Sequence, residues 1–183
     1  MILKIRNIMT VISLVCLVSS CVSWKKIDQV IKGEPVPHTF STLRICNYAI
    51  PDSIEQPHPY NSFYTLNKMS LSRKDTLTNW KETLIQLDSL ERGLMVTFFL
   101  RDTLADQYFL KGRWKNNFFY AKRRIKAKGI PPFFFFYNEK LSVLGNYGTH
   151  LSLFQSDLRA GMILLLSAGG QDYYREQYGI KTH

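Results

Sequence analysis

Residues Leu94 to Gly129 read LMVTFFLRDTLADQYFLKGRWKNNFFYAKRRIKAKG. Leu94–Arg101 is an apolar, β-prone run and Gln107–Trp114 is a second; Phe118–Lys128 alternates basic with apolar or small side chains up to Gly129. Aromatic and β-branched residues in runs of this length, divided by turn formers, are the pattern of strands. A turn is predicted at Asp102–Ala105. A tight hairpin is predicted at Lys115-Asn116-Asn117, because asparagine tolerates the positive φ that such a turn requires.

The pattern extends in both directions. Pro131 and Pro132 open the aromatic run Phe133–Tyr137, Asn138-Glu139-Lys140 is predicted as a turn into Leu141–Leu144, and Gly145-Asn146-Tyr147-Gly148 as another before Leu151–Phe154. Gly161 precedes the apolar run Met162–Ser167, which Gly169-Gly170 is predicted to end. Upstream, Thr76–Glu91 supports two readings. Leu77, Trp80, Leu84, Leu87 and Leu90 keep helical spacing, whereas Ile85 and Leu87 alternate with Gln86 and Asp88 as in a strand. Phe63, Leu66 and Met69 predict a helical turn or two within Ser62–Met69, Pro51–Asn61 is a turn-rich loop, and Thr39–Cys46 alternates with Leu43 and Ile45 on one face. The expected fold is mainly β: an antiparallel meander forming a small barrel or curled half-barrel, with a short helix near its N-terminal side. Closure removes the unpaired edges that a flat sheet would expose. At 183 residues and 45% hydrophobic, the chain is long and apolar enough for one cored domain and too apolar for disorder.

The N-terminus follows a different logic. Lys4 and Arg6 precede an uncharged apolar run, Ile8–Val18, and then Ser19, Ser20 and Cys21. That is the layout of a secretory signal and is too short for a spanning helix. Val18-Ser19-Ser20-Cys21 resembles the lipobox of bacterial lipoproteins, which implies diacylglycerol on the Cys21 sulfur, cleavage after Ser20 and acylation of the new amino group. The predicted organisation is a signal peptide over 1–20, a tether over 21–38 and a single β-rich domain over 39–183. In such lipoproteins an Asp after the acylated cysteine often retains the protein in the inner membrane. Val22 stands there, followed by Lys25 and Lys26 rather than acidic residues. An outer-membrane, periplasm-facing location is expected. Loss of Cys16 with the signal and acylation of Cys21 leave Cys46 as the only thiol, so no disulfide is expected within one chain.

Leu84 to Lys181 resembles the C-terminal meander of small lipoproteins of Gram-negative bacteria. The resembling pieces are Lys111-Gly112, Asn117-Phe118-Phe119 before a basic strand, Gly129-Ile130-Pro131 before an aromatic one, and the late apolar run ending in Ala168-Gly169-Gly170. The resemblance tilts Thr83–Asp88 toward strand and implies no activity.

Catalytic signals are absent from the sequence. His38, His58, His150 and His183 lack ligand spacing, and there is no Cys-x-x-Cys, so no metal or other cofactor is expected. There is no Gly-x-Ser-x-Gly elbow, Cys46 reads as a buried structural thiol, and Ala168-Gly169-Gly170 lacks the Lys-Ser/Thr of a phosphate cradle. No catalytic residue is predicted.

Charge is the informative feature. Cleavage after Ser20 removes Lys4 and Arg6, leaving 22 Lys+Arg against 14 Asp+Glu, a formal +8. All of it belongs to Gln107–Asn138, where Lys111, Arg113, Lys115, Lys122, Arg123, Arg124, Lys126 and Lys128 meet no acidic residue. Strand alternation places Lys122, Arg124, Lys126 and Lys128 on one face, a candidate surface for anionic lipid or an acidic envelope partner. Arg123 falls on the opposite face with Ala121 and Ile125. There it needs an internal carboxylate, a ligand anion, or a bulge or rim that lets it reach water. The partners expected are the membrane, through the anchor, and an anionic lipid or envelope protein. Nucleic acid is not expected in that compartment. The functional expectation is a lipid-anchored, non-enzymatic binding module for an amphiphile or envelope partner; the alternative is a structural accessory docking through the 107–138 hairpin.

Overall fold

The structure is a computed structural model that describes residues 27–50, 63–66, 83–130, 134–163 and 166–181. The signal peptide, Cys21, the Pro51–Asn61 loop and Pro131–Phe133 lie outside the described residues. The chain falls into two compact units: a ring unit (Val36–Lys122, Ser142–Phe154 and Arg175–His183) and a hairpin unit (Met1–Pro35, Arg123–Leu141 and Gln155–Tyr174). Strands β7 (Phe134–Asn146), β8 (His150–Ile163) and β9 (Leu166–Ile180) contribute residues to both.

The ring unit also holds β1 (Thr42–Ile50), β2 (Thr83–Leu90), β3 (Gly93–Leu100), β4 (Thr103–Lys115) and β5 (Phe118–Ala121). The fold is mainly β, an antiparallel meander. Its pairings run β5-β4-β3-β2-β1-β9-β8-β7 and return to the start where β5 pairs with β7 through Phe119↔Leu144 and Tyr120↔Val143. That closure leaves no free edge in the cycle. Thr83–Leu90 is strand, with Ile85 and Leu87 fully buried and Gln86 and Asp88 half-buried between them. Period-two alternation therefore prevails over the helical spacing of the same leucines, because β1 and β3 pair with both sides of β2.

The ring is filled by Ile45, Leu94, Val96, Phe98, Phe119, Leu151, Leu153 and Tyr178, all fully buried. A single helical turn, Phe63–Leu66, belongs to this core, and its Phe63 carbonyl accepts a 2.5 Å hydrogen bond from the Tyr108 hydroxyl. Phe63 and Tyr178 meet edge-on at 5.2 Å. Gly112 has a packing reason: a Cβ there would lie 2.3 Å from the Phe119 ring and 2.5 Å from the Tyr120 carbonyl. The ring of Phe119 lies over the glycine and fills the place of its missing side chain.

Several predicted boundaries move. The β3–β4 turn is only two residues, Arg101 and Asp102, both at positive φ (49° and 63°). The ladder shifts between Phe98 and Phe99, so Ala105, expected in the turn, is the extra residue of a bulge. Asn116 and Asn117 do form the tight β4–β5 turn, with φ of 51° and 62°. The predicted strand Phe118–Lys128 is broken at Lys122 and Arg123, which belong to neither β5 nor β6 (Arg124–Ile130). Asn138-Glu139-Lys140 is not a turn but the middle of β7, where a fixed partner satisfies Glu139. Met162–Ser167 is not one strand: β8 ends at Ile163 and β9 begins at Leu166. Gly169 and Gly170 lie within β9 and do not end it, and a Cβ at Gly169 would come within 2.9 Å of the Arg159 carbonyl.

The hairpin unit contains β6 and the remaining parts of β7, β8 and β9 in the order β6-β7-β8-β9. It also contains helical residues 27–32, within the stretch expected as tether. Ile27 and Ile31, one helical turn apart, are its buried pair. No described helix is long and apolar enough to cross a membrane.

Candidate functional site: the charged face of the hairpin unit

The β6–β7 ladder fixes which side chains share a face. Arg124 pairs with Lys140, Lys126 with Asn138, Lys128 with Phe136 and Ile130 with Phe134. Directly opposed residues project to the same side of a sheet, so these eight form one surface. The next strand extends it: Asp157 accepts from Asn138 Nδ2 at 3.1 Å and from Lys140 Nζ at 3.3 Å, and Arg159 donates back to the same carboxylate at 2.7 Å. Asp157 is buried, while the Lys140 and Arg159 side chains are largely exposed. Burial pushes the Asp157 carboxyl up, but the Arg159 hydrogen bond and the Lys140 charge outweigh it and hold it below the usual carboxylate range. Arg159 is correspondingly raised, first by its hydrogen bond to Asp157. Lys126 and Lys128 have no carboxylate partner among the described residues.

The expected stripe thus divides. Arg124, Lys126 and Lys128 share the β6 face; Lys122 is exposed in the ring unit, outside any strand, and its backbone N–H donates to the Lys111 carbonyl at 2.7 Å. The sequence reading missed Lys140, Asp157 and Arg159. The misassigned turn at 138–140 hid Lys140, and no sequence signal links Asp157 to either cation.

Arg123 meets an internal carboxylate. One terminal nitrogen donates to Glu139 Oε2 at 3.0 Å, and the Arg123 Nε lies 2.7 Å from Oε1 as an ion-pair contact without hydrogen-bond alignment. The Tyr137 hydroxyl donates to Glu139 Oε2 at 2.5 Å. Glu139 is fully buried, while the Arg123 side chain is 27% exposed. The pair is therefore a half-buried clamp whose guanidinium reaches water at one end, as the break in the strand allows. Burial opposes the Arg123 charge, but Tyr137 and Glu139 more than offset it and its pKa is raised. Burial, and then donation to Glu139, raises the Tyr137 phenol. Glu139 and Tyr137 were not singled out by sequence. Reading the alternation through 138–140 would have placed both on one face of β7, but the register that brings that face to Arg123 has no sequence signal.

The ring unit carries a separate cleft of about 330 Å³ beside Thr39, Phe40, Ser89, Trp114 and Asn117. Its Trp114 indole N–H is committed to the Leu90 carbonyl and its Asn117 amide to the Pro37 carbonyl. Cys46 is buried. Among the described residues, no three of His, Cys, Asp and Glu converge as metal ligands would. No family model matches the chain, and no curated protein or solved structure gives a significant match.

Proposed function

We propose that this chain is a lipid-anchored protein of the Gram-negative cell envelope, held at the periplasmic side of the outer membrane through Cys21, that works by binding an anionic amphiphile rather than by catalysis. The observation that carries the binding reading is the hairpin-unit surface, where Lys126, Lys128, Lys140 and Arg159 outnumber the carboxylates of Asp157 and Asp172. A surplus of cations on one sheet face raises the local concentration of anionic ligands and orients them. The anchor reading rests on the Val18-Ser19-Ser20-Cys21 junction. Acyl chains contribute about 0.8 kcal/mol per buried methylene, so more than one makes attachment effectively permanent. Labelled palmitate should enter the protein. Cys21→Ser should abolish labelling, and equal labelling of that variant would refute the anchor.

A second reading is a structural accessory that docks on an acidic envelope protein through residues 107–138. Its support is the exposed row Lys111, Arg113 and Lys115 on β4, which alternates with half-buried Gly112 and Trp114. Charge reversal at those three positions should release a co-purifying envelope protein if docking is the role, and should leave anionic amphiphile binding unchanged if it is not.

A further inference from the structure

The charged face is not uniform along its length. At the end of the β6–β7 hairpin the register opposes Ile130 with Phe134, next comes Lys128 with Phe136, and only then the polar positions Lys126/Asn138 and Arg124/Lys140. Ile130 is 62% exposed, Phe136 51% and Phe134 39%, and the two phenylalanine rings lie 6.3 Å apart. The apolar end continues onto β8: a Cβ at Gly161 would touch the Phe136 ring at 3.4 Å, and Ile163, two residues further on the same face, is 53% exposed. On the opposite face Ile125 is also 51% exposed. β6 is exposed on both faces from Ile125 to Ile130.

Single exposed apolar residues are ordinary, but a contiguous group bordered by cations on the same face is not. At about 3.4 Å per strand residue, Lys126 lies roughly 14 Å behind Ile130, and Lys128 about half that. These spacings match the interface of a bilayer. Apolar side chains enter about 5–10 Å, and lysine ammonium groups stop at the phosphates while their stems lie along the apolar layer. Charge complementarity therefore selects an anionic lipid surface as the occupant. The chain supplies a second reason. Helical residues 27–32 belong to this same unit, and Cys21 lies six residues before Ile27, a span of at most about 20 Å when fully extended. An acyl anchor at Cys21 would keep the hairpin unit, in particular, close to the bilayer.

We infer that the apolar face shared by Ile130 of β6, Phe134 and Phe136 of β7 and Ile163 of β8 is a membrane-inserting surface. Ile130, Phe134, Phe136 and Ile163 enter the interface of an anionic leaflet, and Lys126 and Lys128 bind its phosphates. This rests on the lipid-anchor reading for the location of the protein, and it deepens the binding reading by naming a lipid surface as the ligand. Each lysine at such a surface strengthens the contact about fivefold, so the element sets how the anchored protein lies on the membrane.

The test uses the intact chain extracted from membranes and reconstituted into vesicles of phosphatidylcholine alone or mixed with phosphatidylglycerol, each with and without brominated acyl chains. Phe136→Trp provides the probe, read as its difference from wild type because Trp24, Trp80 and Trp114 are already present. In vesicles containing phosphatidylglycerol the added emission should shift to the blue and fall by about half or more with brominated lipid. Lys126→Glu together with Lys128→Glu should reduce that quenching several-fold, with an unchanged circular dichroism spectrum. Ile130→Trp serves as the probe if Phe136→Trp does not fold. A chain that floats with both vesicle types while its new tryptophan stays unquenched overturns the insertion and leaves the anchor standing. Flotation only with anionic vesicles, with quenching, supports the insertion and removes the acyl anchor. Flotation with neither overturns both.

Discussion

The two units bury different chemistry. The ring unit encloses Phe98, Phe119, Leu94, Val96, Leu151 and Tyr178 around a cycle of pairings with no free edge. The hairpin unit buries Glu139, Ser156 and Asp157 beside Ile27, Ile31 and Leu141, and it exposes Ile130, Phe136 and Ile163. The ring unit's interior is therefore mostly apolar, whereas the hairpin unit adds ion-paired buried carboxylates to a few buried apolar residues and leaves other apolar side chains in contact with solvent. Closure and an apolar core are features of a scaffold. Buried carboxylates held by cations, with exposed aromatic rings on the same unit, are what the proposed lipid-binding surface would use.

The largest effect should come from the ring. Phe119 is fully buried, pairs with Leu144 across the closing ladder, and covers Gly112. Phe119→Ala removes its transfer free energy and leaves a cavity, costing about 3–5 kcal/mol. That is a large share of an ordinary domain's stability, so the urea midpoint of the ring unit should collapse. A loss below about 1 kcal/mol would mean that the β5–β7 pairing does not close the ring in solution.

The clamp in the hairpin unit comes next. Arg123→Ala leaves the buried Glu139 carboxylate with the Tyr137 hydroxyl alone, which should cost about 3 kcal/mol, somewhat less than for a fully buried pair because Arg123 reaches water. Arg123→Met combined with Glu139→Leu should recover most of the loss, since no charge is then left uncompensated. Hydrogen exchange sharpens the contrast: amides of β6 and the adjoining part of β7 should lose protection in Arg123→Ala while those of β2 and β3 keep it. Uniform loss across all four strands would show that the two units unfold as one.

The ring unit was the more legible in sequence, for a physical reason. Its strands bury one face, so Ile85/Leu87 and Leu94/Val96 alternate where the sheet requires it. Its Asn116-Asn117 turn carries its own conformational preference. The hairpin unit hides its strands because polar residues stand where a core would be apolar. Asn138, Glu139 and Lys140 look like a turn until Asp157 and Arg123 arrive from elsewhere in the chain to satisfy them. Glycines misled in the same way: Gly169 lies within β9 for a close backbone approach, not at its end. Of the stripe, alternation identified Arg124, Lys126 and Lys128 as one face of β6, but the break at 122–123 that separates Lys122 from them has no local signal.

A pH experiment separates the two kinds of burial further. Asp157 is held below its ordinary carboxylate value, so its ionised form binds its partners more favourably in the folded state. Its contribution is then present above the unfolded pKa, about 4, and is lost as pH falls through the lower folded value. Asp157→Asn should lower the urea midpoint at pH 7 by an amount equivalent to about 1 kcal/mol, in line with a charge-assisted hydrogen bond replaced by a neutral one. The gap from wild type should close as the pH falls below 4. A gap that persists unchanged at the lowest pH would assign the effect to packing and not to charge.

The smallest effect should come from the exposed end of the hairpin, where the contrast between the units is sharpest. Phe119 and Ile130 are both large apolar side chains in strands, but Phe119 has no exposure and Ile130 has 62%. Most of the Ile130 surface is in water in the folded chain as in the unfolded one, so Ile130→Ser removes little transfer free energy and leaves no cavity. What remains is a strand preference of a few tenths of a kcal/mol. The denaturation midpoint should stay within about 0.5 kcal/mol of wild type, and the denaturant slope should not change. Dye binding to exposed apolar surface should nevertheless fall, since Phe134, directly opposite, loses its neighbour. A loss of about 2 kcal/mol or more would contradict this exposure, because only a side chain covered in the folded protein has that much burial to lose.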